Sequence, residues 1–403
     1  MFKLALRNLF RQKVRNLITL ASIVFGVAAL IIAGGFVQDI LIQLRDATIK
    51  SRLGYVQVFK AGYFELGRRD PYAYLIENSN LLAAKLKQEK SVVDILRRLN
   101  FTALLNNGKT DRSVIVEGVE AEKESRLGSF MAIIGGRQLS SGDEHGILLG
   151  EGVAIALNLK PGDFVTLVGT TTSGAMNSVE LEVVGLFRSF SKDYDARAVR
   201  IPLATAQDLI DAKAVHSLVF SLTDASAVEG LISALPGILS PKAYEWKTWL
   251  ELDDFYPKTV ELYKSQFGVL ESIILIVVLL SVANSVSMTA NERIGEFGTL
   301  RALGHTSRYV YLLLLVENTL LGVLGAALGL LVGIGLAVGI SKVGIPMPPP
   351  PNANAGYTAY IRVVPNVCMS AFFIGLAATV ASAVLTCVGP TRKPITDALR
   401  QNI

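Results

Sequence analysis

Residues 16–38 read NLITLASIVFGVAALIIAGGFVQ, 23 positions without a charged side chain. A helix rising about 1.5 Å per residue needs roughly 20 such residues to cross the hydrocarbon core of a bilayer, so this stretch is long enough to span one. Three further charge-free stretches follow, 272–291, 318–341 and 363–391, with 20, 24 and 29 residues. They account for a chain of 403 residues that is 51% hydrophobic, 18% charged and has a mean hydropathy of +0.44. That balance does not suit a purely soluble fold. The expected fold class is membrane α-helical, with four transmembrane helices at 16–38, 269–289, 309–341 and 367–388. The long interval 39–268, which holds most of the acidic residues, is expected to fold as one large extracytoplasmic domain.

The charge partition orients these segments. From 38 to 264 there are 26 Lys and Arg against 29 Asp and Glu, whereas 1–15, 289–309 and 389–403 together hold 11 basic residues against 3 acidic ones. Basic excess beside membrane spans marks the cytoplasmic side, so both termini and the loop between spans two and three are expected inside and the 39–268 domain outside. The formal charge of +5 therefore sits beside the membrane and not on a folded basic surface, which excludes nucleic acid as a partner. Residues 1–15 read as an amphipathic helix on the inner membrane surface, with Lys3, Arg7, Arg11 and Arg15 recurring every four residues. These charges either fix topology alone or also hold a cytoplasmic partner. The 23 apolar residues that follow exceed a signal-peptide core and no A-x-A site closes them, so an uncleaved anchor is expected. The two cysteines, Cys368 and Cys387, lie nineteen residues apart in the fourth span, roughly 28 Å along a helix, too far to bridge.

Within 39–268, helical patterns at 39–50 and 251–268 continue the first two spans outward as stalk helices. Between them, YVQVF at 55–59 and SVIVEGV at 113–119 read as strands and 81–89 as a helix. An α/β module is expected over 51–130 and 191–250, interrupted by a β-rich insertion at 131–190. The outer loop 342–366 carries a proline run, Pro348–Pro351, which reads as a stiff connector.

Motifs for catalysis are missing. No GxxxxGK(S/T) loop cradles a phosphate, His145, His216 and His305 are scattered without an HExxH, and there is no GxSxG elbow. The chain is expected to be no enzyme, with no catalytic residue, no metal site and no cofactor of its own. The informative segment is NERIGEFGTLRALG at 291–304, within 290–308, which is expected to form a cytoplasmic helix. It places Arg293 and Glu296 one turn apart, where they can pair, and its apolar edge of Phe297, Leu300 and Leu303 can seat in a groove on another protein. Gly298 and Gly304 punctuate it.

Asn284, Glu292-Arg293, Glu296-Phe297-Gly298 and Leu300-Arg301-Ala302-Leu303-Gly304 resemble the coupling-loop signature of the FtsX-like permeases of ABC transporters. That group includes the lipoprotein-releasing and macrolide-export (MacB-like) systems, and the lipoprotein-releasing permease subunits are the closest in type. ALRNLFRQKVRNLITL at 5–20 is similar to the family's first helix. The stretches 150–152, 157–163, 200–203 with 206–207, and 394–400 also match, so the resemblance covers nearly the whole chain.

The resemblance implies a permease subunit whose cytoplasmic segment docks on a separate ABC ATPase dimer, the ATP and Mg being bound there. Glu292, Arg293, Glu296, Phe297, Gly298, Leu300, Arg301, Leu303 and Gly304 are the implied coupling residues. It further implies a second permease copy, identical or paralogous, a periplasmic carrier or adaptor, and a lipid or lipoprotein substrate moved by mechanotransmission at a bacterial inner membrane. The alternative is an FtsX-type signalling subunit that activates a cell-wall hydrolase. The chain departs from fused family members in lacking an ATPase domain, and from ten-span sensors in having four spans.

Inside the membrane, Gly325, Gly329 and Gly333 form a small-residue run expected to let helices approach closely. Glu317 lies nine residues past Arg308 in span three; it either pairs with Arg308 or snorkels to the inner surface, or it is functional.

Overall fold

A computed structural model describes residues 13–67, 69–127, 131–349, 356–392 and 394. Lys3, Arg7 and Arg11 of the expected surface helix, and the closing match from Ile395 on, lie outside these; Arg15 falls within the first helix. The described residues form two compact units. One, here the membrane unit, comprises residues up to 42, 259–347 and from 358 on. The other, the outer unit, comprises 43–258 with the loop residues ahead of Thr358.

The long helices are α1 (Lys13–Thr48), α2 (Phe255–Glu292), α4 (Ser307–Val343) and α5 (Pro365–Thr386), with the short α3 (Ile294–Ala302) between α2 and α4. Each of the four long ones is long and apolar enough to cross a membrane. In the membrane unit the small residues of α4 lie against α1. A Cβ added at Gly325 would fall 2.9 Å from Ile23 Cβ, and one at Gly329 would fall 2.7 Å from Val27 Cβ. At Gly333 it would meet Ile31 Cδ1 at 2.8 Å, whereas Gly335 and Gly339 face open space. Side-chain hydroxyls add polar links where lipid offers no competing water. Thr19 and Ser285 share a hydrogen bond, and Ser281 Oγ donates to Ser22 Oγ at 2.8 Å.

At the opposite end of α1 the carboxylate of Asp39, with no exposed surface, accepts the Tyr360 amide at 2.8 Å and Arg362 Nε at 2.7 Å. Gly35 lets this segment come close, because a Cβ there would lie 2.5 Å from the Arg362 carbonyl oxygen.

The outer unit is built on one ten-stranded sheet. Its strands are β1 (Val56–Lys60), β2 (Val92–Asn106), β3 (Asp111–Val119), β4 (Ala132–Gly136), β5 (Gly146–Gly150), β6 (Phe164–Thr170), β7 (Met176–Arg188), β8 (Ala198–Pro202), β9 (Ser217–Leu222) and β10 (Tyr244–Thr248). The order β10-β1-β9-β2-β3-β8-β5-β7-β4 is closed on itself by β6, which pairs with β2 through Leu104–Asn106 and with β7 along its whole length. The pairings β2-β3-β8-β5-β7-β6 thus make a closed ring of six strands. Closure satisfies backbone groups that would otherwise form exposed edges.

This ring corrects the expected β-rich insertion at 131–190. Its strands β5, β6 and β7 do not stand apart from the α/β module; they share one ring with β2, β3 and β8 from the flanking sequence, and all six contribute to one large apolar cluster that runs from Ile49 to Trp249. The expected stalk over 251–268 is also interrupted. A four-residue helix, Trp249–Leu252, stops at Asp253 in extended backbone and α2 starts afresh at Phe255.

His216, at the head of β9, is wholly buried. Its Nδ1 accepts the Asn100 amide at 3.2 Å, so Nε2 carries the proton and donates to the Pro71 carbonyl at 3.1 Å. Burial pushes its pKa down to about 4. An unfolded histidine takes up a proton near pH 6.5, so between about 6.5 and 4 the unfolded chain binds more protons than the folded one. Stability from this neutral imidazole is present above pH 6.5 and is lost as pH falls toward 4, by up to about 3 kcal/mol. Urea unfolding followed across this interval should show the loss, and His216→Gln should flatten it; an equally steep profile in the variant would rule the assignment out.

Candidate coupling site

The segment between α2 and α4 folds as a helix because its signals are local. Arg293 breaks the ladder after α2, and α3 ends where Gly304 takes a left-handed conformation at φ +99°, which a side chain resists. The His305 amide returns to the Leu300 carbonyl at 3.1 Å, and Thr306 then caps α4 by accepting the Tyr309 amide at 3.2 Å. His305 stacks on Tyr309 with ring centroids 4.3 Å apart.

Arg293 is the centre of the site. Its Nε donates to Glu296 at 2.9 Å and its Nη1 to Glu317 of α4 at 2.6 Å, while the guanidinium also lies over the Phe297 ring at 5.5 Å. The Arg293–Glu317 pair is largely buried, with side-chain exposures of 11% and 8%. Glu317 therefore pairs with Arg293 and not with Arg308, so the bond ties the start of α3 to α4. Both residues border a small polar cavity of about 20 Å³ that Thr19, Ser285, Thr289 and Asn318 also line. That is about the space of one water molecule, which the surrounding donors and acceptors could hold.

The apolar edge divides. Phe297 is 2% exposed and belongs to the same apolar cluster as Val286, Ala290, Val310 and Leu314, while Leu303 is 76% exposed. Six residues on a helix of 3.6 per turn separate two side chains by roughly 120° around the axis, so Phe297 and Leu303 cannot share one face. Phe297, with buried Ile294, Gly295 and Gly298, seats α3 on its own bundle. Leu303 and Gly304 remain at the surface, with Glu292 also exposed and Glu296, Leu300 and Arg301 partly so.

Two groupings escaped the sequence reading. One is the Asp39–Arg362 clamp. The other is a buried ion cluster of Arg98 on β2, Glu117 on β3, Glu124 on the helix Ala121–Leu127 and Arg200 on β8. Arg200 Nε donates to Glu117 at 3.0 Å and its Nη1 lies 3.4 Å from Glu124, to which Arg98 makes a two-pronged bond. Burial opposes the charge on Glu117, but the Arg200 and Arg98 guanidiniums outweigh it and hold the carboxyl below its usual range. The available signal was a charge of each sign inside otherwise apolar strands, Glu117 in SVIVEGV and Arg200 in AVRIP.

Comparison with known proteins places two family models on the chain. A MacB-like periplasmic core domain matches residues 17–238 and an FtsX-like permease C-terminal domain matches 269–398. Among curated proteins, the lipoprotein-releasing system transmembrane protein LolE of Haemophilus influenzae is 23% identical over 271 residues, 64% of each chain. LolC of Neisseria meningitidis serogroup B is 24% identical over 360 residues, 83% of this chain and 81% of its own. The chain thus spans just under two thirds of the Haemophilus relative's length. Among solved structures, the periplasmic region of MacB from Actinobacillus actinomycetemcomitans is similar over 52% of this chain and 93% of its own, at 16% identity and a TM-score of 0.37.

Proposed function

Because the chain belongs to the FtsX-like permeases that carry a MacB-like periplasmic core domain, we propose that it is the membrane subunit of an ATP-driven transporter at a bacterial inner membrane. In this reading it works as a dimer on a separate ABC ATPase and moves a lipoprotein or other lipid-anchored cargo by motion of its outer unit. ATP and Mg are bound by the ATPase. Both termini and α3 lie on the cytoplasmic side, in keeping with their basic flanks.

One observation carries the reading: α3 is held to its own bundle by Phe297 and by the Arg293–Glu317 pair, and turns a second face, Leu303 with part of Leu300 and Arg301, outward. A short helix seated in this way is suited to pass displacement from a docked ATPase into α2 and α4, which flank it. The coupling role of Glu292, Glu296, Gly298 and Gly304 follows from their place on the same segment. Close packing of Gly325, Gly329 and Gly333 on α1 would let α4 and α1 move together.

The test is the double variant Arg301→Glu with Leu303→Glu, co-expressed with the ATPase in nanodiscs. Co-purification of the ATPase and cargo-stimulated ATP turnover should fall by about tenfold or more, since losing about 1.4 kcal/mol of docking energy is a tenfold change. Normal assembly and turnover would remove α3 from the ATPase interface. Depletion in cells separates transport from signalling, because failed chain separation with normal lipoprotein sorting would favour the hydrolase-activating alternative.

A further inference from the structure

The end of α1 is held in an unusual way. After Thr48 the helix widens into a π-turn, Ile49–Leu53, and Gly54 at φ +65° closes it by donating to the Ile49 carbonyl at 2.8 Å. Carbonyls in the last turn of a helix have no partner within it and need one from outside. Here the partners are two guanidiniums of the buried cluster: Arg98 donates to the Arg52 carbonyl, and Arg200 Nη2 to the Ser51 carbonyl at 3.4 Å. A cation at a helix C-terminus also meets the negative end of the helix dipole. Arg98 and Arg200 stand on β2 and β8, two strands of the closed ring, and Glu117 on β3 and Glu124 balance their charge.

The start of α2 is built quite differently. The helix Trp249–Leu252 has a capping box of Thr248 and Glu251, then stops, and α2 restarts with Asp253 accepting the Tyr256 amide at 3.1 Å. Its backbone hydrogen bonds are interrupted, whereas those of α1 run on into the π-turn.

We propose that Arg98 and Arg200 are positioning residues that weld the π-turn at the end of α1 to the strand ring. As far as this concerns transport, it rests on the permease reading above. The weld itself is independent of that reading.

A single deletion from the cluster strands a charge and risks unfolding, so the test uses balanced replacements, which buried ion pairs often tolerate. These are Glu117→Leu with Arg200→Met, Arg98→Met with Glu124→Leu, and all four together, in the full chain in nanodiscs. Amide exchange is read along Lys50–Gly54, along β2, β3 and β8, and along Phe255–Tyr263 as the control. The fourfold variant should exchange about tenfold or more faster at Lys50–Gly54, each pair less, while the strands and the control stay unchanged. With the ATPase present, cargo released per ATP should fall at least severalfold while ATP turnover persists.

Unchanged exchange at Lys50–Gly54 overturns the weld, and so does equal acceleration of the strands, which would make the cluster a part of the sheet core only. Faster exchange with wild-type release per ATP overturns the positioning role. If instead the permease reading fails, the wild-type chain itself shows no ATP-coupled release, and the exchange result still decides the weld.

Discussion

Arg200→Met alone should lower the stability of the outer unit by about 3–5 kcal/mol, because it leaves two buried carboxylates to share one guanidinium. Arg200 is 1% exposed, and with Arg98 it neutralises Glu117 and Glu124 in a cluster closed to water. The balanced Glu117→Leu, Arg200→Met protein, which removes both members of one pair, should lie within about 1–2 kcal/mol of wild type. Both can be measured by denaturant unfolding in the full chain, since the two tryptophans, Trp246 and Trp249, lie in the outer unit and report on it. The single variant should also respond oppositely to acid. Without Arg200 the Glu117 carboxyl is raised above its unfolded value, so the folded protein binds the extra proton and the deficit shrinks as pH falls from 7 toward the ordinary carboxylate range. If Arg200→Met unfolds at the wild-type denaturant concentration, the cluster has little energetic weight.

Glu317→Leu carries the second large effect. It leaves the Arg293 guanidinium, 11% exposed, with Glu296 as its remaining carboxylate partner of the two. Losing one member of a buried pair costs about 3–5 kcal/mol, and about 1.4 kcal/mol already changes an equilibrium tenfold. The population of α3 seated against α4 should therefore drop by tenfold or more, and, on the function proposed above, ATP-driven cargo release with it. Glu317→Gln, which keeps an acceptor but not the charge, should fall between that variant and wild type. A paramagnetic label on Leu303, paired with one on the exposed Leu312, reads the seating directly. Wild-type distances and release rates in Glu317→Leu would show that the ion pair does not hold α3.

What the sequence revealed and what it concealed follows from the range of the interactions. The four apolar helices were legible because a bilayer demands a long local run of apolar residues, and the end of α3 because Gly304 marks it within two positions. The strand ring was not, since β2 joins β6 some sixty residues on and β3 joins β8 some eighty on, pairings that no local pattern encodes. β2 itself was hidden. Asp94, Arg97 and Arg98 interrupt its alternation because all three answer charges elsewhere, Asp94 to Lys87, Arg97 to Glu120 and Arg98 to Glu124. For the same reason Glu317 was legible as a carboxylate in a span while its partner Arg293 was not. Arg293 reaches it across a helix break whose geometry depends on Phe297 packing inward.

The strand ring also sets where this molecule can be cut and recombined. Of its six staves, three come from before and after 131–190 and three from within it. A chimera that borrows only that stretch from a relative would have to match half a barrel to a foreign half, stagger and tilt included. Exchange at the natural seams, near Gln43 and Lys258 where the two units divide, would carry the barrel across intact. Inheritance in this family would then favour trading whole outer units over trading their parts.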